Sequence, residues 1–235
     1  MFEPLKSYPE PVEAENPTGF DRVAWCYDAL ANLVFGPAQR QAQQSALNGL
    51  PDTTCPHLLI LGGGTGWVLT EVLRRRPHAT VLYLEASPRM LARAQARLQR
   101  EWPQAAGQVE FRHGTQAALE PVERFDALIT FFVLDCIAGP ELPAALARLR
   151  EAQRAGAPWL LADFRPARRG WRRWLLAAMY LFFRLTTGLR ARTLANLRAE
   201  LGHLGMQPQQ SSLFFGKAME AVVFAETRAG SVSDI

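Results

Sequence analysis

Cysteine is scarce in this chain. Cys26, Cys55 and Cys136 are the three among 235 residues, and they lie far apart without a CxxC pair. That excludes a disulfide framework and a cysteine-based zinc site, and it fits free thiols in a reducing cytoplasm. No metal-ligand spacing of His, Cys, Asp or Glu is present, so no metal is expected. Long apolar runs are missing as well. The longest, Trp174–Phe183, has ten residues closed by Arg173 and Arg184, too short to span a bilayer. The opening stretch MFEPLKSYPEPVEAENP lacks an apolar signal core, which argues against secretion. Acidic residues vanish from one stretch: Arg165–Ala199 holds nine arginines and no Asp or Glu, although the whole chain is only +4. There is no internal repeat and no low-complexity tract.

What remains is an ordinary globular composition, 49% apolar and 20% charged, in a length that suits one domain with a large core. Residues 1–17, with Pro4, Pro9, Pro11 and Pro17, read as a flexible leader, residues 18–226 as a single domain and 227–235 as a flexible tail. A helical stretch over Asp21–Leu50 is interrupted near Gly36-Pro37. Apolar runs at 57–61, 80–85, 109–112, 125–132 and 158–163 alternate with helical patterns at 67–76, 87–102 and 141–155. Ser87-Pro88 supplies an N-cap and a first-turn proline, and Gly156 a helix stop. Alternation of this kind predicts a doubly wound α/β domain with a mostly parallel sheet, because strands buried on both faces read as unbroken apolar runs. Leu213–Phe215 and Ala218–Phe224, around Gly216-Lys217, predict a terminal hairpin.

The central motif is the run Leu58-Leu59-Ile60-Leu61-Gly62-Gly63-Gly64-Thr65-Gly66. A buried strand opens through a glycine loop into a helix, at the strand end where open α/β sheets bind ligands. Nineteen residues after Gly66, Glu85 closes the next strand, where a carboxylate accepts hydrogen bonds from a ribose. The spacing Gly62-x-Gly64-x-Gly66 differs from the dinucleotide G-x-G-x-x-G, whose last glycine position is Trp67 here. That points to a cofactor whose amino-acid part, rather than a pyrophosphate, crosses the loop. A nicotinamide-dependent oxidoreductase and a non-catalytic cofactor-binding module remain the alternatives.

On these motifs the chain resembles the class I S-adenosylmethionine-dependent methyltransferases over roughly residues 20–226. LLILGGGTG matches the first family motif and VLYLEAS the second. FRHGTQAAL, ERFDALITFFVLD and APWLLADF match the third, fourth and fifth strands, and SSLFFGKAMEAVVFA the reversed terminal strand. FDRVAWCYDALANLVFGPAQRQ resembles the opening of the quinone-biosynthesis C-methyltransferases and their small-molecule relatives. The resemblance implies a seven-stranded sheet and S-adenosylmethionine as cofactor, with S-adenosylhomocysteine as product. It places Tyr27, Gly62, Gly63, Gly64, Gly66, Glu85, Ala86, Gly114, Thr115, Gln116 and Phe131 at the cofactor. The family often has an acid after the third strand; this chain reads His113-Gly114-Thr115-Gln116.

For the chemistry, Asp135 and Tyr27 are the catalytic candidates. Phe131 and Phe132 are expected to wall the site, and Asp163 and Arg165 to rim it. Residues 165–200 coincide with the family's helical insertion that binds substrate. Trp171, Trp174, Leu175, Met179 and Phe182 recur there at helical spacing between arginines, so Arg165, Trp174, Met179, Phe182 and Phe132 are assigned to a small, lipophilic acceptor. Quinone-like, aryl and polyene compounds fit that description. The basic, apolar stretch 168–192 also suits peripheral contact with a membrane surface, so a cytoplasmic, membrane-peripheral location is expected. Nucleic acid is not expected, since no recognised binding module is present. Oligomeric state and the methylated atom are not encoded in any motif.

Overall fold

The structure is a computed structural model that describes residues 37–165 and 195–226. The expectations for Tyr27, Trp174, Met179 and Phe182, and for the leader, most of the insertion and the tail, fall outside the described residues. Within them the elements are α1 (Ala38–Leu47), β1 (His57–Leu61), α2 (Trp67–Arg75), β2 (Thr80–Glu85), α3 (Pro88–Glu101), β3 (Val109–His113), β4 (Ala127–Phe131), α4 (Leu142–Glu151), β5 (Trp159–Phe164), α5 (Leu197–His203), β6 (Met206–Phe214) and β7 (Met219–Glu226).

The strands form one seven-stranded sheet in the order β3-β2-β1-β4-β5-β7-β6. β1 to β5 pair in parallel, and β7 runs antiparallel to both β5 and β6. This is the expected doubly wound fold with a reversed terminal strand. β4 and β5 are buried at every residue, which is why they read as continuous apolar runs.

The two faces of the sheet pack separate cores. On one, Ile60, Tyr83 and Ile129 meet Leu47 of α1, Leu73 of α2 and Leu98 of α3. On the other, Leu59, Leu128 and Leu161 meet Leu146 of α4 and Leu201 of α5. Each fully buried leucine contributes roughly 1.5–3 kcal/mol over its exposed state. Ser87 caps α3 as expected, its hydroxyl accepting from the Met90 amide at 3.2 Å.

Three local expectations need correction. The Phe125–Phe132 strand is Ala127–Phe131, because Phe125 bonds the Ala152–Arg154 segment instead and Phe132 turns out of the strand with φ 53°. The hairpin turn spans Phe215–Lys217, all three at positive φ, rather than Gly216-Lys217 alone. β6 begins at Met206, seven residues before its predicted start. Its polar residues and Pro208 hide it, because as the outer strand it is exposed over most of its length and carries an irregularity between Pro208 and Gln210.

The buried Trp159 indole N–H donates to the Thr130 hydroxyl at 2.8 Å, joining neighbouring strands inside the core. Thr130→Val keeps the shape but removes that acceptor. It should lower stability by roughly 1–3 kcal/mol in urea unfolding; an unshifted midpoint would show the bond to be dispensable.

Candidate functional site

Strand order reverses between β1 and β4, so their connections leave on opposite faces and open a crevice at the carboxyl edge of the sheet. A cavity of about 290 Å³ fills that crevice, near the lower end of ligand-site volumes. Its walls come from four places: the glycine loop with Trp67 and Val68, the ends of β2 and β3, the end of β4, and the outer face of α1.

The glycine loop is built from below. The Tyr83 ring lies where a side chain at Gly63 would stand, with a hypothetical Cβ 2.5 Å from it, and the Tyr83 hydroxyl donates to the Gly64 carbonyl at 2.9 Å. Gly66 sits at φ +88° as the residue before α2, where a Cβ would come within 2.8 Å of the Ala94 backbone. Only glycine lets α3 approach this closely. Gly66 itself therefore performs the tight helix packing that a dinucleotide motif assigns to the next position, and Trp67 is left to line the cavity. Gly64 differs: at φ +61° its Cβ position faces open space, with the Met90 sulfur nearest at 4.0 Å.

Glu85 clasps the loop. One carboxylate oxygen accepts from the Gly64 amide at 2.9 Å and the other from the Ser87 amide at 3.0 Å. The group is 7% exposed and faces the cavity. Each carboxylate oxygen carries two acceptor sites, so these two bonds do not by themselves exhaust it. Ala86, Gly114, Thr115 and Gln116 continue this wall. The Thr115 hydroxyl already accepts from the Ala117 amide at 3.4 Å. His113 stays outside the lining, its ring bonded to the Ala86 carbonyl at 3.0 Å.

The end of β4 closes the opposite side. Phe131 and Phe132 line the cavity, and Phe132 packs edge-on against Phe164 with centroids 5.2 Å apart. A left-handed conformation in a bulky residue costs on the order of 1–3 kcal/mol, so the surrounding packing must hold it. The turn swings Val133 onto Gly62, where a glycine Cβ would collide with it at 2.3 Å.

The next residues depart from expectation. Leu134–Cys136 forms one short helical turn that sends Leu134 into the second core and returns Cys136 and Ile137 to the cavity. Asp135 falls outside the lining. Its side chain accepts from the Cys136 thiol at 3.4 Å and its amide donates to Asp163. Burial, then the Asp135 charge, push the Cys136 thiol well above its usual range, so the sulfur facing the cavity stays protonated. Arg165 also lies outside the lining. It joins Arg198 on the Glu220 carboxylate, at 3.4 and 2.8 Å.

Sequence reasoning missed Gln39, Arg40 and Gln43 of α1, and Trp67, Met90, Cys136 and Ile137. The α1 group had a signal: Gln39 and Arg40 stand near the end of the stretch that resembles the family opening, and Gln43 lies one helical turn beyond Gln39. The others depend on helix placement in space.

Asp163 is 1% exposed, and among the described residues one of its oxygens has no hydrogen-bond partner. Burial, then the Asp135 and Glu220 charges, raise its pKa well above the ordinary carboxylate value. A carboxyl whose folded pKa exceeds its unfolded value, about 3.9, loses stability as pH rises from that value through the folded one. Asp163→Asn, neutral at every pH, should therefore lose less stability than wild type between about pH 4 and pH 8 in thermal melts. Parallel losses would show that Asp163 is ionised throughout.

A family model described as "Methyltransferase domain" matches residues 59–158. No curated protein matches the sequence. Among solved structures, TnmH is 25% identical over 88% of this chain and 61% of its own, with a TM-score of 0.62. The mitomycin 7-O-methyltransferase MmcR is 18% identical over 88% and 60%, TM-score 0.64. The N-methyltransferase NodS from Bradyrhizobium japonicum WM9, solved with S-adenosylhomocysteine, is 14% identical over 81% and 88%, TM-score 0.62. The alignments thus span about three fifths of TnmH and MmcR.

Proposed function

We propose that this chain, whose residues 59–158 match a methyltransferase-domain model, transfers a methyl group from S-adenosylmethionine to a small, lipophilic acceptor. The observation that carries the reading is the clasped loop: Glu85 bound to the Gly64 amide at the edge of a cavity that reaches from the loop to Gln116 on one side and Phe132 on the other.

The residues fit the cofactor. The open space above Gly64 admits a ligand atom where a side chain would stand. Glu85 is the carboxylate for the ribose hydroxyls, and Ala86 with Gly114–Gln116 flank the base. When bound, S-adenosylmethionine supplies a methyl group activated by a sulfonium. Phe131 and Phe132 wall that end of the cavity, where aromatic faces stabilise positive charge and exclude water. Holding the acceptor in line with the methyl group is the protein's main contribution. A protonated Cys136 leaves the acceptor as the nucleophile.

The lipophilic class rests on two features. Phe131, Phe132, Val133 and Ile137 make an apolar wall beside the cofactor site, and the sequence stripe Trp174, Met179 and Phe182 lies in the segment that follows β5. Contact of the 168–192 stretch with a membrane surface belongs to the same reading. Among the described residues no helix is long and apolar enough to cross a membrane.

Calorimetric titration with S-adenosylhomocysteine should show saturable binding at one site. Glu85→Ala should weaken it by roughly 1.5–3 kcal/mol, the range for hydrogen bonds to a charged group. Folded protein that does not bind S-adenosylhomocysteine but binds a nicotinamide cofactor would replace this reading with an oxidoreductase.

A further inference from the structure

Tyr83 and Glu85 stand two positions apart on β2, so their side chains leave the same face of the strand. From there they meet the same residue. Glu85 accepts from the Gly64 amide at 2.9 Å, and the Tyr83 hydroxyl donates to the Gly64 carbonyl at 2.9 Å. Gly64 thus has both of its backbone polar groups bonded to one strand. The tyrosine is itself fixed. It is fully buried, its ring lies under Gly63, and it meets the Phe111 ring of β3 with centroids 5.3 Å apart.

The carbonyl bond also orients the next peptide group. The Gly64 C=O and the Thr65 N–H belong to one trans peptide plane and point in opposite directions. A carbonyl held against Tyr83 therefore turns the Thr65 N–H away from Tyr83. Gly64 and Thr65 both line the cavity. With glycine at 62, 63, 64 and 66 the loop meets little steric resistance to the reverse orientation, which would turn the carbonyl toward the cavity instead. Glu85 does not prevent that reversal, because the amide it holds belongs to the preceding peptide plane, between Gly63 and Gly64.

We infer that Tyr83 is a positioning residue for the cofactor: its hydroxyl keeps the 64–65 peptide turned so that an N–H edge, and not a carbonyl, meets the ligand. This rests on the cofactor reading above. Tyr83 lies outside the cavity lining and acts through the loop. It keeps the binding arrangement populated before the ligand arrives. Without the hydroxyl the loop divides its time between two orientations, and the apparent affinity falls with the fraction that can bind.

The test is Tyr83→Phe, which keeps the ring beneath Gly63 and removes the hydroxyl alone. Calorimetry with S-adenosylhomocysteine should show binding weakened roughly fivefold or more. Hydrogen exchange, read by NMR on the ligand-free proteins, gives a second readout. The Gly64 and Gly66 amides, bonded to Glu85 and to the Gly63 carbonyl, should exchange faster in the variant, while the amides of β1 and β4 keep their wild-type rates. Saturating ligand should return the loop amides toward wild-type protection. Unchanged affinity would overturn the assignment. So would faster exchange across the whole sheet, which would make the hydroxyl a matter of general stability. Both measurements are made well below the melting temperature of either protein, so a variant that melts early still decides. Wild-type protein that does not bind S-adenosylhomocysteine would overturn the cofactor reading instead; the ligand-free exchange comparison stands apart from that result and tests the loop by itself.

Discussion

The hydrogen bond from the Gly64 amide to the Glu85 carboxylate is the constraint on which the site depends. It ties the loop after β1 to the end of β2, and the same carboxylate reaches the Ser87 amide at the entrance to α3. Both strand ends and both following helices are thereby set relative to one another. A partly desolvated, charge-assisted bond of this kind is stronger than a neutral one and is costly to leave unmade. The buried Tyr83 works beneath it, filling the space a side chain at Gly63 would take and bonding the Gly64 carbonyl. The loop is held from two directions before any ligand arrives.

The other half of the cavity is held differently. There the constraint is steric: Phe132 reverses the chain at a left-handed angle, Val133 lands against Gly62, and a short turn delivers Cys136 and Ile137. The local strain is tolerated because the Phe132 amide bonds the Ala162 carbonyl and its ring packs on Phe164. The cavity thus has a polar clasp on one side and an apolar, strained wall on the other.

Charge is sparse in this cavity and is separated along it. Glu85 stands at the β2 end of the cavity and Arg40 on the glycine-loop side. The remaining acids near the carboxyl edge, Asp135, Asp163 and Glu220, lie outside the lining. Glu220 is matched by Arg165 and Arg198, whereas Asp163 is buried with no cation partner among the described residues. The acids beside the cavity thus bear on stability and its pH dependence.

Much of this was legible in the residues themselves, wherever neighbours in sequence are neighbours in space. The unbroken apolar runs of β1, β2, β4 and β5 announced a buried parallel sheet. Gly62 to Gly66 followed by Glu85 announced the loop and its acid, because a strand, a turn and the next strand form a local unit. What the tertiary structure decided concerns residues brought together from afar. β6 lacks an apolar period because its surroundings are solvent. Asp135 looked well placed by its distance from β4, yet a single helical turn rotates it away and puts Cys136 in its stead. Arg40 is an ordinary polar residue in a polar helix until the fold lays it over Trp67. Periodicity and motif spacing encode backbone direction and burial; which side chains converge on a cavity depends on helix placement and turn rotation, and those emerge only when the whole core is packed.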